Sequence, residues 1–290
     1  MFYLKGISEI EKNYEVFLID QWGVIHDGFK KYQNACRAIK FLRERKKKII
    51  LISNSSQTAS STKKHILKKI GINHKLFNKI VTSGELFRYN IINKKVAITN
   101  NSNLKCYNIS HISQDKYLSK LNIKKATNIS EADFILASSI KPNEKLKNYI
   151  KILNFSLKKK IPMICTNPDK KVYDGNKKKV LTQVGTLAEY YQSKKGKVIY
   201  YGKPYPEIFK HCLKEVGQKK KTKVLLIGDS MDNDISGANE CGIDSLLILR
   251  GVLKEKFKFT DNNHKKIISK ILKLSNKKIL PTYFSWSLKK

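Results

Sequence analysis

Short runs of consecutive apolar residues recur along the chain, each closed by a polar residue or glycine and most followed by a stretch of helical periodicity. They are Val16 to Ile19 before Asp20, Ile49 to Ile52 before Ser53, Val198 to Tyr201 before Gly202, Val224 to Ile227 before Gly228, and Ser245 to Leu249 before Arg250. Runs that are apolar nearly throughout, rather than alternating, suit strands buried on both faces of a parallel sheet. The 3.6-residue patterns at Ala35 to Leu42, Ile208 to Val216 and Ile235 to Cys241 suit the crossover helices between them. The pattern predicts an α/β chain built on a doubly wound, Rossmann-like sheet.

The middle of the chain interrupts this alternation. Residues 84–196 carry strand and helix signals of their own, at Val96 to Thr99, Phe134 to Ala137, Leu146 to Leu157, Met163 to Thr166 and Leu187 to Tyr191. A stretch of that size is too long for a loop and long enough to bury a core, so it reads as an inserted α/β domain between a first core segment, 1–83, and a second, 197–290. Near the end, Ile267, Ile268, Ile271 and Leu272 mark a helix. After Pro281, an aromatic tail of Tyr283, Phe284 and Trp286 is expected to pack on the core.

Composition narrows the function classes. With 41% hydrophobic residues in 290, the chain has ample material for two cores and is not disordered. The formal charge of +36 comes from 59 basic against 23 acidic residues, and the only arginines are Arg37, Arg43, Arg45, Arg88 and Arg250. Nucleic-acid readers favour arginine for bidentate contacts, whereas lysine spread through every segment makes a solvated surface, so a nucleic-acid partner is not expected. Cys36, Cys106, Cys165, Cys212 and Cys241 lie far apart, without disulfide-framework or zinc spacing, and read as buried thiols. The apolar runs fall well short of the roughly 18 residues of a membrane span. Lys5, Glu9, Glu11 and Lys12 stand where a signal peptide needs an apolar stretch, so the expected address is the cytoplasm, with no membrane partner.

In a doubly wound sheet the ligand lies beyond the carboxyl ends of the strands. The residues there are unusually polar: Asp20 after the first run, Ser53-Asn54-Ser55-Ser56 after the second, then Lys203, then Asp229 and Asp234. A phosphoryl-transfer site needs this inventory of a nucleophile, small donors for phosphoryl oxygens, a fixed positive charge and oxygen ligands for magnesium.

The strings LIDQWGVIHDG (Leu18 to Gly28), ISNSSQT (Ile52 to Thr58), GKPYPEIF (Gly202 to Phe209) and GDSMDNDISGA (Gly228 to Ala238), in this order around the insertion, resemble the four motifs of the haloacid dehalogenase superfamily. The resemblance covers nearly the whole chain and is closer to the class IIA branch, relatives of the N-acetylglucosamine-phosphate and pyridoxal-phosphate phosphatases. CTNPD (Cys165 to Asp169) is similar to that branch's substrate-facing cap loop. The resemblance implies Asp20 as the nucleophile that becomes an aspartyl-phosphate, Ser53 and the Asn54 backbone as phosphate donors, and Lys203 as the neutralising cation. It implies a magnesium ion held by Asp20, Asp229 and the Trp22 carbonyl, with Asp234 supporting the ion or its waters from behind. Asn167 and Asp169 would face the substrate, a small phosphorylated metabolite such as a sugar phosphate, nucleotide or vitamin phosphate; a homo-oligomer is compatible with this reading.

One residue departs from the pattern. Phosphatases of this superfamily usually carry a second aspartate two residues after the nucleophile, which protonates the leaving alcohol and then activates water. Trp22 stands there instead, and an indole does neither. Loss of such assistance costs on the order of 10² to 10⁴ in rate, and His26 or Asp27 is a nearby substitute. Simpler readings stand beside the functional ones. Ser53 to Ser56 could cap a helix starting near Ala59, Asp232 could be a helix-start residue, and Asn167 and Asp169 could form only a turn at Pro168. Two further classes remain: a phosphometabolite-binding protein of little or no turnover, supported by Trp22, and, more remotely, a lysine-rich nucleic-acid binder.

Overall fold

The computed structural model describes residues 1–93, 95, 104–111, 118, 120–257, 263–275 and 279–290. The first part of the chain runs β1 (Phe2–Tyr3), β2 (Val16–Asp20), α1 (Gln33–Glu44), β3 (Lys48–Ser53), α2 (Ala59–His65), β4 (Lys79–Thr82) and α3 (Ser83–Ile92). The middle continues with β5 (Lys105–Ile109), β6 (Lys124–Lys125), β7 (Phe134–Ala137), α4 (Ile150–Lys158), β8 (Met163–Cys165), β9 (Lys171–Asp174), β10 (Lys179–Thr182), α5 (Gly185–Ser193) and β11 (Val198–Tyr200). The last part adds α6 (Pro206–Glu215), β12 (Val224–Gly228), α7 (Ser236–Cys241), β13 (Asp244–Ile248), α8 (His264–Leu274) and β14 (Tyr283–Ser285). The strand signal at Val96 to Thr99 lies outside the described residues.

Seven strands form one sheet in the order β1-β14-β13-β12-β2-β3-β4, every neighbouring pair parallel. From β2 the chain winds outward through β3 and β4, then returns to the other side of β2 and winds outward through β12, β13 and β14. The order therefore reverses between β2 and β12, as in a doubly wound sheet. Residues 16–20 of β2 are all buried, and successive residues feed opposite cores. Phe17 and Ile19 join Ile49, Leu51, Leu225 and Ile227 on one face, while Val16 and Leu18 join Ile50, Ile52, Val224 and Leu226 on the other. An alternating apolar–polar strand could not fill both layers, which is why these runs are apolar throughout.

A second parallel sheet, β11-β8-β7-β5-β6, comes from the middle of the chain. One face packs on α4 and α5 through Ile135, Met163, Leu153, Leu187 and Tyr191. The opposite face, with Cys106, Phe134, Leu136 and Ile164, belongs to the same apolar cluster as Leu18, Ile50 and Phe87 of the main core. Helix α3, which carries the fully buried Phe87, thus lies between the two sheets, although the sequence places residues from 84 onward with the insertion. A correction concerns Val198 to Tyr201, expected in the main sheet: β11 pairs with β8 in the second sheet. A short antiparallel hairpin, β9–β10, stands apart from both sheets.

The aromatic tail goes further than packing on the core. Tyr283 to Ser285 insert as strand β14 between β13 and β1, with Phe284 fully buried. Four of the cysteines are buried and Cys36 is half-buried. Among the described residues no helix is long and apolar enough to cross a membrane. Because Phe284 fills the layer under α8, Phe284→Ala should cost about 3–5 kcal/mol. Phe2→Ala, on the exposed edge strand, should cost less than about 0.5 kcal/mol. Denaturant unfolding midpoints of the two variants test this, and equal shifts would contradict it.

Candidate active site

The reversal between β2 and β12 puts two strand ends side by side, each with an aspartate at or just after its last residue. Asp20 is the last residue of β2, and Asp229 follows Gly228 at the end of β12. Asp234 returns to the same point from the helical turn that leads into α7. The carboxylates of Asp20, Asp229 and Asp234 each offer an oxygen within 4.8 Å of the others, and all three residues are buried. Lys203 arrives from the loop after β11, pairs with Asp20, and places its ammonium 2.8 Å from Asp234 Oδ1. Only 2% of Lys203 is exposed, so its charge is shielded from bulk water and faces Asp20 and Asp234.

Each carboxylate is fixed by its surroundings. Asp229 Oδ2 accepts from the Val252 N–H at 2.9 Å, and Asp234 Oδ2 accepts from the Ser230 N–H at 3.1 Å. Gly23, at φ 87°, leaves room for Asp229, since a Cβ there would meet its Oδ2 at 2.1 Å. On the other side, Ser53 ends β3 and lines the same cavity of about 530 Å³ as Asp20, Lys203 and Asp229. The Asn54 side chain works as a clamp: Oδ1 accepts from the Lys203 N–H at 2.7 Å, and Nδ2 donates to the Lys203 carbonyl at 3.0 Å and to Asp169 Oδ1 at 2.8 Å.

Electrostatics follow from this crowding. Burial pushes the Asp20 pKa up to about 7; Lys203 pulls it down and Asp234 pushes it further up. Asp229 is raised well above the ordinary carboxylate range by burial and then by Asp20 and Asp234. Burial works to lower the Lys203 pKa, but Asp20, Asp234 and Asp169 outweigh it and hold the ammonium firmly charged. Three buried carboxylates around one lysine favour a further cation, and an all-oxygen donor set suits a hard divalent ion such as magnesium. Asp20, Asp229 and Asp234 are the residues that would hold it.

The other candidates divide. Asp169 reaches the cavity from the inserted domain, and its Oδ1 also accepts from Asn233 Nδ2 at 2.7 Å. Burial raises its pKa, against the pull of Lys203. Asn167 is not among the cavity-lining residues; its side chain accepts from the Asp169 N–H at 3.1 Å and so builds the turn. The helix after Ser53 to Ser56 is capped by Thr58, whose side chain accepts from the Ser61 N–H, so the serines are not the cap. His26 is fully buried, burial keeps it neutral down to about 3, and its Nδ1 already accepts from the Gly28 N–H. Asp27 Oδ1 accepts from the Phe29 and Lys30 N–H groups. Neither His26 nor Asp27 lines the cavity.

A family model described as haloacid dehalogenase-like hydrolase matches residues 17–124, and a second, described as HAD-hydrolase-like, matches residues 200–273, so both halves of the aspartate site lie inside matched segments. The chain belongs to the haloacid dehalogenase-like hydrolases. A curated member, the phospholysine phosphohistidine inorganic pyrophosphate phosphatase of Xenopus laevis, is 36% identical over 66 residues, and the match spans 23% of each chain. The human protein of the same name is 36% identical over the same length. In fold, this haloacid dehalogenase-like chain is similar to a hydrolase of that family from Brucella suis, at TM-score 0.82 and 23% identity over 98% of this chain and 99% of that one. It is also similar to a possible sugar phosphatase from Cytophaga hutchinsonii (TM-score 0.72, 20% identity, 99% and 98% covered). A p-nitrophenyl phosphatase from Archaeoglobus fulgidus gives TM-score 0.68 and 22% identity, with 95% and 97% covered.

Several groups in the site escape sequence reasoning. The Val252 N–H and the Asn233 amide are structural partners of the carboxylates, and Lys170, Lys171, Val172 and Val180 of the hairpin region line the cavity mouth. Asn233 lies inside the motif string, and Val252 just follows a predicted strand end; the hairpin residues carry no distinguishing signal. Because Asp20 holds a proton below its pKa of about 7, a divalent ion must displace that proton to bind at lower pH. The thermal stabilisation given by a fixed magnesium concentration should therefore grow from about pH 6 to about pH 8. Melting curves with and without the ion test this, and a pH-independent shift would contradict it.

Proposed function

We propose that the chain is a magnesium-dependent phosphohydrolase acting on a small phosphorylated metabolite through an aspartyl-phosphate. The observation that carries this reading is the meeting of Asp20, Asp229, Asp234 and Lys203 at one buried point where the sheet reverses. Asp20 is the proposed nucleophile: one carboxylate oxygen forms a bond to phosphorus as the bond from phosphorus to the leaving group breaks. Lys203, charged and paired with Asp20 and Asp234, neutralises the phosphoryl oxygens and orients the attacking carboxylate. The Ser53 hydroxyl and the backbone N–H groups beyond it supply donors to the remaining oxygens. When bound at Asp20, Asp229 and the Trp22 carbonyl, with Asp234 supporting it from behind, magnesium would draw charge from the phosphoryl group and offset repulsion between it and Asp20.

The inserted domain supports a small substrate. Asp169 reaches over the phosphoryl end of the cavity, and the β9–β10 hairpin contributes Val172 and Val180 to its wall. A sugar phosphate, nucleotide or vitamin phosphate fits a cavity of about 530 Å³, whereas a folded protein substrate does not. Of the relatives named above, one is named as a phospholysine phosphohistidine inorganic pyrophosphate phosphatase, one as a possible sugar phosphatase and one as a p-nitrophenyl phosphatase, and this supports a phosphatase reading. A second reading, a phosphometabolite-binding protein of little turnover, is favoured by the indole at position 22 alone.

Incubation of wild type and Asp20→Asn with a panel of phosphorylated metabolites and magnesium separates these readings. The reading predicts phosphate release by wild type and a loss of at least about 10³-fold in Asp20→Asn, as expected when a covalent nucleophile is removed. Phosphate release that is the same in both proteins on every substrate would overturn it.

A further inference from the structure

We propose that this enzyme selects phosphoryl donors whose leaving group departs without a proton from the protein, that is, aryl phosphates, acyl phosphates and N-phosphoryl compounds rather than alkyl phosphate esters. The inference rests on the phosphohydrolase reading and concerns the cavity that Trp22 shares with Asp20. Trp22 lines that cavity, and its one polar atom is committed elsewhere: Nε1 donates to the Tyr173 carbonyl of β9 at 2.5 Å. The indole is held from behind as well. Gly28 lies so near that a Cβ there would meet Trp22 Cζ2 at 2.1 Å, and the His26 ring packs edge-on at 5.3 Å between centroids. The hairpin receiving the indole is itself tied down. The Gly175 N–H donates to the Asp27 carbonyl at 3.0 Å, and Lys254 Nζ donates to Tyr173 Oη at 3.0 Å.

Position 22 therefore offers a leaving oxygen neither a proton nor a hydrogen bond. Among the described residues no histidine lines the cavity. Asp20, Asp229 and Asp234 are gathered around Lys203, Glu189 pairs with Lys170 at 3.0 Å, and the remaining acidic residues of the lining, Asp232 and Glu255, are exposed to solvent. Asp169 Oδ1 accepts two amide N–H groups, from Asn54 and Asn233, which favour the carboxylate as an acceptor against the burial that raises its pKa. An alkyl ester leaving as a bare alkoxide is disfavoured by its high basicity. A nitrophenolate or a carboxylate leaves readily with the electron pair of the broken bond, and an N-phosphoryl amine that already carries its proton leaves neutral.

The same lack acts on the return step. Water adds to phosphorus as the bond from Asp20 to phosphorus breaks, the electron pair returns to the Asp20 carboxylate, and the proton of water passes to a phosphoryl oxygen. With position 22 supplying no base, this step is slow, so the phosphorylated enzyme accumulates and the first turnover outruns the rest.

The test is the dependence of magnesium-supported turnover on leaving-group pKa, measured for aryl phosphates from nitrophenyl to phenyl, glycerol phosphate, acetyl phosphate and phosphoramidate, with rapid-mixing detection of a burst. Wild type should lose rate steeply as leaving-group pKa rises, with glycerol phosphate about 10²-fold or more below p-nitrophenyl phosphate. It should also show a burst approaching one equivalent of nitrophenolate per site. Trp22→Asp should recover glycerol phosphate selectively and shrink the burst, while Trp22→Phe, which restores no acid, should keep the steep dependence. The wild-type series decides the matter even if a variant does not fold. Glycerol phosphate hydrolysed as fast as p-nitrophenyl phosphate, with no burst, overturns this inference but leaves the phosphohydrolase standing when Asp20→Asn is inactive. An absence of Asp20-dependent turnover on every donor overturns both.

Discussion

The site depends on a buried charge imbalance: the Lys203 ammonium sits among the carboxylates of Asp20, Asp234 and Asp169, with Asp229 alongside. Taking these charges out of water is costly unless each is paired, and one lysine cannot pair with all of them. The raised pKa values of Asp20 and Asp229 express that deficit. A hard divalent cation would relieve it on one side of Lys203, and the oxygens of a phosphoryl group would find their positive partner in the same lysine. On the proposed reading, metal affinity and phosphate affinity have one origin, the arrangement of three carboxylates and one ammonium where the sheet reverses direction.

That arrangement is held by contacts across the two sheets. Asn54 from the main sheet binds the backbone of Lys203 and the carboxylate of Asp169, and Asn233 binds the same carboxylate from the other side. The second sheet and the main core also share one apolar cluster through Phe87 and Leu136. The inserted segment is therefore tied to the reacting centre by both hydrogen bonds and packing. The hairpin β9–β10 adds the Trp22 contact, so a residue standing where relatives of this superfamily place an acid here joins the two parts of the molecule.

Much of this was legible in the letters for physical reasons. A central parallel strand must be apolar on both faces, so β2, β3, β12 and β13 announce themselves, and the ligand-facing residues are those that follow them. Other elements carry weaker signals. β11 is only half-buried at the edge of the second sheet, and nothing in Val198 to Tyr200 says which sheet will receive it. β9 and β10 are short and begin with exposed lysines, so their hairpin is invisible to periodicity. The Tyr173 carbonyl and the Val252 N–H are backbone groups that any residue would carry, so no letter encodes their roles. The clamp made by the Asn54 side chain carries no signal in the sequence, because its geometry depends on a loop 149 residues away.

The most direct measurement is a crystal structure of the protein soaked with manganese, an oxygen-seeking ion visible by anomalous scattering. The account predicts one strong peak coordinated by oxygens of both Asp20 and Asp229, with Lys203 beside it. An ion bound away from these aspartates, or no ion at saturating concentration, would contradict it.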